Sequence, residues 1–153
     1  MMKPRRFLIL CCFLLAHLGP DSLSAQEIVI EAGSPAIGAD GHLAEPVGIE
    51  TLGGVFTELL PQGCALACSA TETFTTAEDG QDQITVSVYR GRAERVSDAT
   101  HVGSFLVRGF DPGPRGQPKV AITFSADLSG LRLSATDLHS GRECQISKLN
   151  HDS

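Results

Sequence analysis

The sequence predicts an all-β fold, an antiparallel β-sandwich of about eight strands, on three observations. Apolar residues recur at every second position in short stretches, most clearly Ile84, Val86 and Val88, and again Val120, Ile122 and Phe124. That period puts one face of a strand on a core and the other in water. The stretches are rich in Val, Ile, Thr and Ser and are bounded by turn residues drawn from 16 Gly and 8 Pro, the composition of a turn-rich β-domain. No segment shows a convincing amphipathic helix, so strands joined by short turns must bury the core. With 153 residues, 42% hydrophobic and 20% charged, the chain has room for one domain with a core.

Residues 1–25 stand apart from that domain. Lys3, Arg5 and Arg6 precede the apolar run from Phe7 to Leu18, and Pro20 and small residues lead to Ser24 and Ala25. These are the three regions of a secretory signal peptide, with cleavage expected near Ala25. The run is well short of the roughly 20 residues that span hydrocarbon. No later segment is long or apolar enough to be a membrane helix, so a soluble product, secreted or periplasmic, is expected.

Residues 26–46 open with Glu27, Ile28, Val29, Ile30 and Glu31 and then become rich in Gly, Ala and Pro. They read as a short β-prone piece followed by a flexible linker. The domain itself is expected over residues 47–148. Its later strands carry Leu131, Leu133 and Ala135 after a turn at Ser129 and Gly130, then a last strand near Glu143 to Ser147 after the reversal at Ser140 and Gly141. Residues 149–153 read as a short tail. No internal repeat or low-complexity tract is evident.

Loss of the leader removes Lys3, Arg5, Arg6 and Asp21, which leaves nine basic and seventeen acidic residues and a net charge of about −8 with neutral His. An acidic chain without a basic stripe argues against nucleic acid and anionic lipid as partners. It leaves basic or apolar peptides open.

Of five cysteines, Cys11 and Cys12 fall in the leader, leaving Cys64, Cys68 and Cys144 in an oxidising compartment. One disulfide and one free thiol is the simplest arrangement. In a straight strand residues four apart lie about 13 Å from each other, so a bond between Cys64 and Cys68 requires a turn between them. Cys144 pairing with either, or between chains, is the alternative. No second Cys pair or close His pair accompanies them, so no metal is expected.

Several blocks in order carry a family resemblance that covers roughly 100 residues. They are Gly48 through Val55 (GIETLGGV), Thr73 through Gln81 (TFTTAEDGQ), Val88 through Gly91 (VYRG), Val102 through Phe105 (VGSF), Pro112 through Pro118 (PGPRGQP), Leu133 through Asp137 (LSATD) and Ser140 through Glu143 (SGRE). The ordered set resembles the substrate-binding β-domain of the 70-kDa heat-shock (DnaK-type) chaperones. The resemblance implies a cradle in which an extended peptide lies between two loops, held through its backbone and by one deep apolar pocket. By correspondence the pocket is lined by Ile49, Thr51, Phe74, Ile84, Val86 and Val120. Leu52 and Ala77 match the positions that arch over the peptide, and Thr75 and Gln81 match loop positions near its backbone. Ile28 to Ile30 stand where the family has an apolar interdomain linker, but the surrounding sequence does not match and an edge strand is the preferred reading.

Departures from the family also carry expectations. A chain of 153 residues has no room for the family's ATPase domain, and it ends at Ser153, a few residues past the last expected strand, with no helical lid. A cradle without a lid exchanges peptide quickly and binds it weakly, in the micromolar range or poorer, about −8 kcal/mol. Ala67 stands where the family usually has Pro, and Cys64, Cys68 and Cys144 are unusual at their positions, which suggests extracytoplasmic adaptation.

Read without the family, Ile49, Phe74, Ile84, Val86 and Val120 are simply the apolar face of any such sandwich, and only the match moves them toward a ligand. Leu52 and Gln81, on loops, are more telling. Arg115 reads as a structural turn residue. His101 and His139 fall beside turns as solvated surface, with no nucleophile elbow, metal-binding helix or phosphate cradle around them. An enzyme is not expected, and no cofactor. The function expected is ATP-independent binding of extended apolar peptides or unfolded proteins. The alternative is a structural or interaction protein that keeps the sandwich but has lost peptide binding. An exposed apolar groove can also take another copy's tail, so self-association is a further expectation.

Overall fold

The computed structural model describes the backbone of Ile28–Ile30 and residues 37–150. The predicted signal peptide over 1–25 and the last residues, 151–153, lie outside the described residues. The described strands are β1 (Ile28–Ile30), β2 (Val47–Thr51), β3 (Val55–Leu60), β4 (Cys68–Thr75), β5 (Gln83–Arg90), β6 (Thr100–Arg108), β7 (Lys119–Asp127), β8 (Gly130–Asp137) and β9 (Gln145–Leu149), with one 3-10 turn at Val96–Asp98. They form two antiparallel sheets, ordered β1-β8-β7-β4 and β3-β2-β5-β6-β9. This is the all-β sandwich predicted from the alternation, with β1 added as a short edge strand that pairs Ile28–Ile30 with Leu131–Leu133.

The alternation reads directly into the core. On β5, Ile84, Val86 and Val88 are buried while Thr85 between them is exposed. On β7 and β8, Val120, Ile122 and Phe124 face the same interior as Leu131, Leu133 and Ala135. The pairing Ile122↔Ala135 and Phe124↔Leu133 sets these side chains opposite one another, the unit from which sheets draw stability. From the other sheet Phe105 and Val107 of β6 and Ile146 of β9 close the core.

Two glycine sites are required by geometry. A Cβ on Gly48 would lie 2.3 Å from the Thr57 carbonyl oxygen and 2.8 Å from the Phe56 ring, so only glycine lets β2 run this close to β3. At the β2–β3 turn, Gly53 and Gly54 have φ of 83° and 75°, which L side chains rarely adopt.

Before β2, the segment read as a linker contains packed structure. Leu43 is 1% exposed and belongs to the core. Its N–H donates to the Cys64 carbonyl at 3.0 Å and its carbonyl accepts from Gly63 N–H at 2.8 Å. A Gly- and Pro-rich composition reports turns, and here the turn Gly38–His42 folds back on itself and inserts one leucine. The cysteines resolve as one disulfide, Cys64–Cys68, with Cα atoms 6.3 Å apart, and a free, buried Cys144. The turn that the bond requires is the bend at Leu66 and Ala67, between the two cysteines. The last strand runs over Gln145–Leu149, two residues later than expected, so Leu149 belongs to the sheet rather than to a tail.

Candidate functional site

The β2–β3 turn and the β4–β5 loop lie at one end of the sandwich, and the register shows why. β2 pairs with β5 only over Val47↔Arg90, Gly48↔Tyr89 and Ile49↔Val88. β5 continues past that point, paired with β6 as far as Gln83↔Arg108. Among the described residues, the stretch from Gln83 to Ser87 is therefore unpaired on the side where β2 has turned away. Leu52, at the tip of the β2–β3 turn, is 99% exposed. Opposite it the chain leaves β4 at Thr75, loops through Thr76–Asp82 and enters β5.

The loop is built from its own side chains. The Gln81 Oε1 accepts from the Ala77 N–H at 2.9 Å and the Glu78 N–H at 3.3 Å, while its Nε2 donates to the Gln83 carbonyl at 2.6 Å. A second loop, Pro112–Pro118, braces it from outside. Gly80 N–H donates to the Gly113 carbonyl at 2.9 Å, Arg115 N–H to Asp79 Oδ1 at 2.7 Å, and Gly116 N–H to the Thr76 carbonyl at 3.1 Å. Thr76 is 3% exposed, and its Oγ1 also receives the Gly116 N–H at 3.2 Å. Thr75 Oγ1 donates to the Pro118 carbonyl at 2.7 Å. Ala77 is thus carried on a loop tied at both ends and along its outer side.

The ten residues singled out from the sequence fall into two groups. Ile49, Ile84, Val86 and Val120 are buried in the core, Ile84 at 6% exposure, and half-buried Phe74 packs against them opposite Val120. Thr51, Leu52, Thr75, Ala77 and Gln81 occupy the two loops and strand ends above. Thr51 Oγ1 is hydrogen-bonded to Thr57 Oγ1 at 2.8 Å across the β2–β3 hairpin. Gln81 spends its amide inside its own loop. Sequence reasoning missed the bracing pair Thr76 and Asp79. Nothing local signals them, because their partners lie on the Gly-Pro-rich Pro112–Pro118 loop, 36 to 40 residues away.

The rim of this end carries both signs of charge, with Arg108, Arg115 and Lys119 exposed at the strand and loop ends beside the β4–β5 loop. Glu78, Asp79 and Asp82 are exposed on the β4–β5 loop. Farther off, Asp137 is buried and accepts from His139 N–H at 2.9 Å, Ser140 Oγ at 2.9 Å and Asp111 N–H at 3.3 Å. The His139 N–H, with the Ser140 hydroxyl and the Asp111 N–H, holds its pKa below the ordinary carboxylate value against the opposing effect of burial. Burial, with the nearby Asp137 charge, pushes the Cys144 thiol up. His101 is exposed, bonded through Nε2 to Ser104 Oγ at 3.0 Å. His139 is exposed too.

Cavities among the described residues open elsewhere than at Leu52 and Ala77, the third of them lined by the Pro112–Pro118 loop. One of about 660 Å³ lies along β3, lined in part by Phe56, Gln62 and Arg92. Another of about 460 Å³ lies at the disulfide end against Leu66, Ala67 and Leu128. The third, of about 370 Å³, sits between Asp111, Pro118 and His139. Among the described residues no group of three or more His, Cys, Asp or Glu side chains is placed to hold a metal ion, and no helix is long and apolar enough to cross a membrane.

The family model for the Hsp70 protein matches residues 43–152. The match begins at the buried Leu43 and runs past the end of β9, spanning both loops and the sandwich that holds them. The chain belongs to the Hsp70 family, and its described part is a chaperone-type substrate-binding β-domain.

Proposed function

We propose that this protein binds extended apolar peptide segments, or unfolded clients that expose them, and that it does so without ATP. The observation that carries this reading is the flank of β5 from Gln83 to Ser87, left unpaired between the exposed Leu52 turn and the braced Ala77 loop. An extended peptide offers the backbone groups that such a flank lacks. One Leu-like side chain buried against Ile84, Val86 and Phe74 contributes about 1.5–3 kcal/mol. Each backbone hydrogen bond adds about 0.5–1.5 kcal/mol net. The costs of association leave a modest affinity, around micromolar. On the β4–β5 loop itself, the carboxylates of Glu78, Asp79 and Asp82 favour a client with a basic residue on that side of the apolar one. The N-terminal leader pattern and the Cys64–Cys68 disulfide support a site of action outside the cytoplasm.

A second reading is an interaction scaffold that keeps the sandwich without a working cleft. It is favoured by the burial of Ile49, Ile84, Val86 and Val120 against their own neighbours.

The two part on one assay, fluorescence anisotropy of a labelled, Leu-centred heptapeptide with basic flanks, titrated with the full chain purified as it accumulates in the host. Leu52→Asp is the diagnostic variant, because a residue 99% exposed carries no packing to lose. Leu128→Asp, at the disulfide end and 80% exposed, is its control. Saturable binding, weakened at least about tenfold by Leu52→Asp, insensitive to Leu128→Asp and unchanged by ATP, is the expected result. No binding at several hundred micromolar protein would leave the scaffold.

A further inference from the structure

Among the described residues the sandwich has four sheet edges, and three of them are protected. β1 is three residues long. β9 is five residues long and carries Lys148. Along β3 the segment from Glu94 to Val96 runs beside the strand, with Phe56 N–H donating to the Glu94 carbonyl at 3.0 Å and Val96 N–H to the Gly54 carbonyl at 3.1 Å. These are the usual devices against edge-to-edge pairing: short length, a lysine, a covering loop.

β4 is the least protected: its one device is Glu72, a single charge opposite the buried Ile122 on the inner face. It pairs with β7 without a register break from Cys68↔Ala126 to Thr75↔Lys119. It contains no Pro, Lys or Arg and one charge, Glu72. Among the described residues, the backbone on its outer side has no partner. The core is also open there. Cys68, Ala70 and Phe74 lie opposite the fully buried Ala126, Phe124 and Val120, on the same inner face, yet remain half-exposed.

We propose that this edge pairs with the β4 edge of a second copy, related by a two-fold axis at Thr71, to give a continuous eight-stranded sheet across the dimer. Self-complementarity of a nearly uncharged edge selects a second copy. The chain carries a net charge of −6, so two copies repel over most of their surfaces, while this edge is nearly neutral. An axis at Thr71 sets Thr71 against its own mate, Ser69 against Thr73 and Ala70 against Glu72, so the charge meets a methyl group. An axis one residue on would set two Glu72 carboxylates directly opposite, which is unfavourable. At the chosen register the two carboxylates sit on the diagonal, about 7–8 Å apart. Glu72 therefore moderates the pairing. The Ala77 and Leu52 loops lie beyond the paired stretch and stay open, one at each end of the dimer, so that one extended client can be gripped at two points.

The area buried by a single strand edge is below about 1,200 Å², in the range of weak complexes. Sedimentation of the full chain should show a mass that doubles between low and several hundred micromolar protein. Glu72→Gln should tighten the association about threefold, and Thr71→Lys, which opposes two like charges, should weaken it about fivefold. Circular dichroism checks that each variant is folded. Thr71→Cys should cross-link the dimer under mild oxidation, while Ser134→Cys, exposed in the middle of β8, should not. A chain that stays monomeric, a dimer that cross-links equally through both positions, or one dissolved by saturating heptapeptide would each overturn the proposal.

Discussion

Asp79 Oδ1 accepts the backbone N–H of Arg115 at 2.7 Å, joining the loop that carries Ala77 to the Pro112–Pro118 loop 36 residues further on. The bond ties the loops together without using the Arg115 side chain. A site built on loops works only if something rigid holds them, and here the holding is done by backbone groups of a neighbouring loop.

Asp79→Ala should therefore loosen the loop more than it destabilises the fold. Asp79 is exposed, so the loss in stability should be about 1 kcal/mol, while heptapeptide affinity falls several-fold. Hydrogen exchange at Ala77 and Gly80 checks the cause, and both amides should exchange faster in the variant. Unchanged exchange with lowered affinity would show that the carboxylate acts on the peptide directly.

Gly48→Ala tests the close passage of β2 and β3. The added methyl would lie 2.3 Å from a backbone oxygen, which cannot rotate away as a side chain would. The expected cost is about 3 kcal/mol, the upper part of the range for overpacked sites. Urea unfolding should show a lower midpoint with an unchanged slope.

Acid should act through Asp137. Its folded pKa is lowered, chiefly by the His139 N–H, so the unfolded state binds the proton more readily than the folded one. The stability this contributes is present above the unfolded value, about 3.9, and is lost as pH falls through the folded value. Thermal midpoints measured from pH 6 down to about pH 2 should fall steeply below about pH 4. In Asp137→Asn, less stable at neutral pH, the acid limb should be shallower.

The thiols make a cheap check on both the disulfide and the leader. Native Cys144 is buried with a raised pKa and should resist a thiol reagent. After unfolding without reductant, one thiol should react if residues 1–25 have been removed, and three if Cys11 and Cys12 are still attached. The Cys64–Cys68 bond closes a loop with a sequence separation of 4, so reducing it should cost only about 2 kcal/mol by loop-closure entropy. A Tm that drops by tens of degrees on reduction would contradict that accounting.

Much of the sandwich was legible in the chain because strand alternation is local. Ile84, Val86 and Val88 reveal their face within five residues, as do Val120, Ile122 and Phe124, and all six are buried. The ordered blocks from Gly48 to Glu143 carried the family, since turn and loop chemistry is also written in short segments. The inserted Leu43 was not legible. One leucine in a Gly- and Pro-rich stretch has no period, and its burial depends on Cys64 and Gly63, about twenty residues away. The same holds for Thr76 and Asp79, whose partners lie on a loop 36 to 40 residues further along the chain.

The chain by itself determined which faces are apolar, where the main turns fall, and which family the domain belongs to. Tertiary structure decided which strands are edges, where β5 is left unpaired, which cysteines join, and what braces the Ala77 loop. The first set follows from steric and hydrophobic preferences acting over a few neighbouring residues. The second depends on which distant segments share a hydrogen-bond ladder, and backbone groups, identical at nearly every residue, write no such choice into a local stretch of sequence.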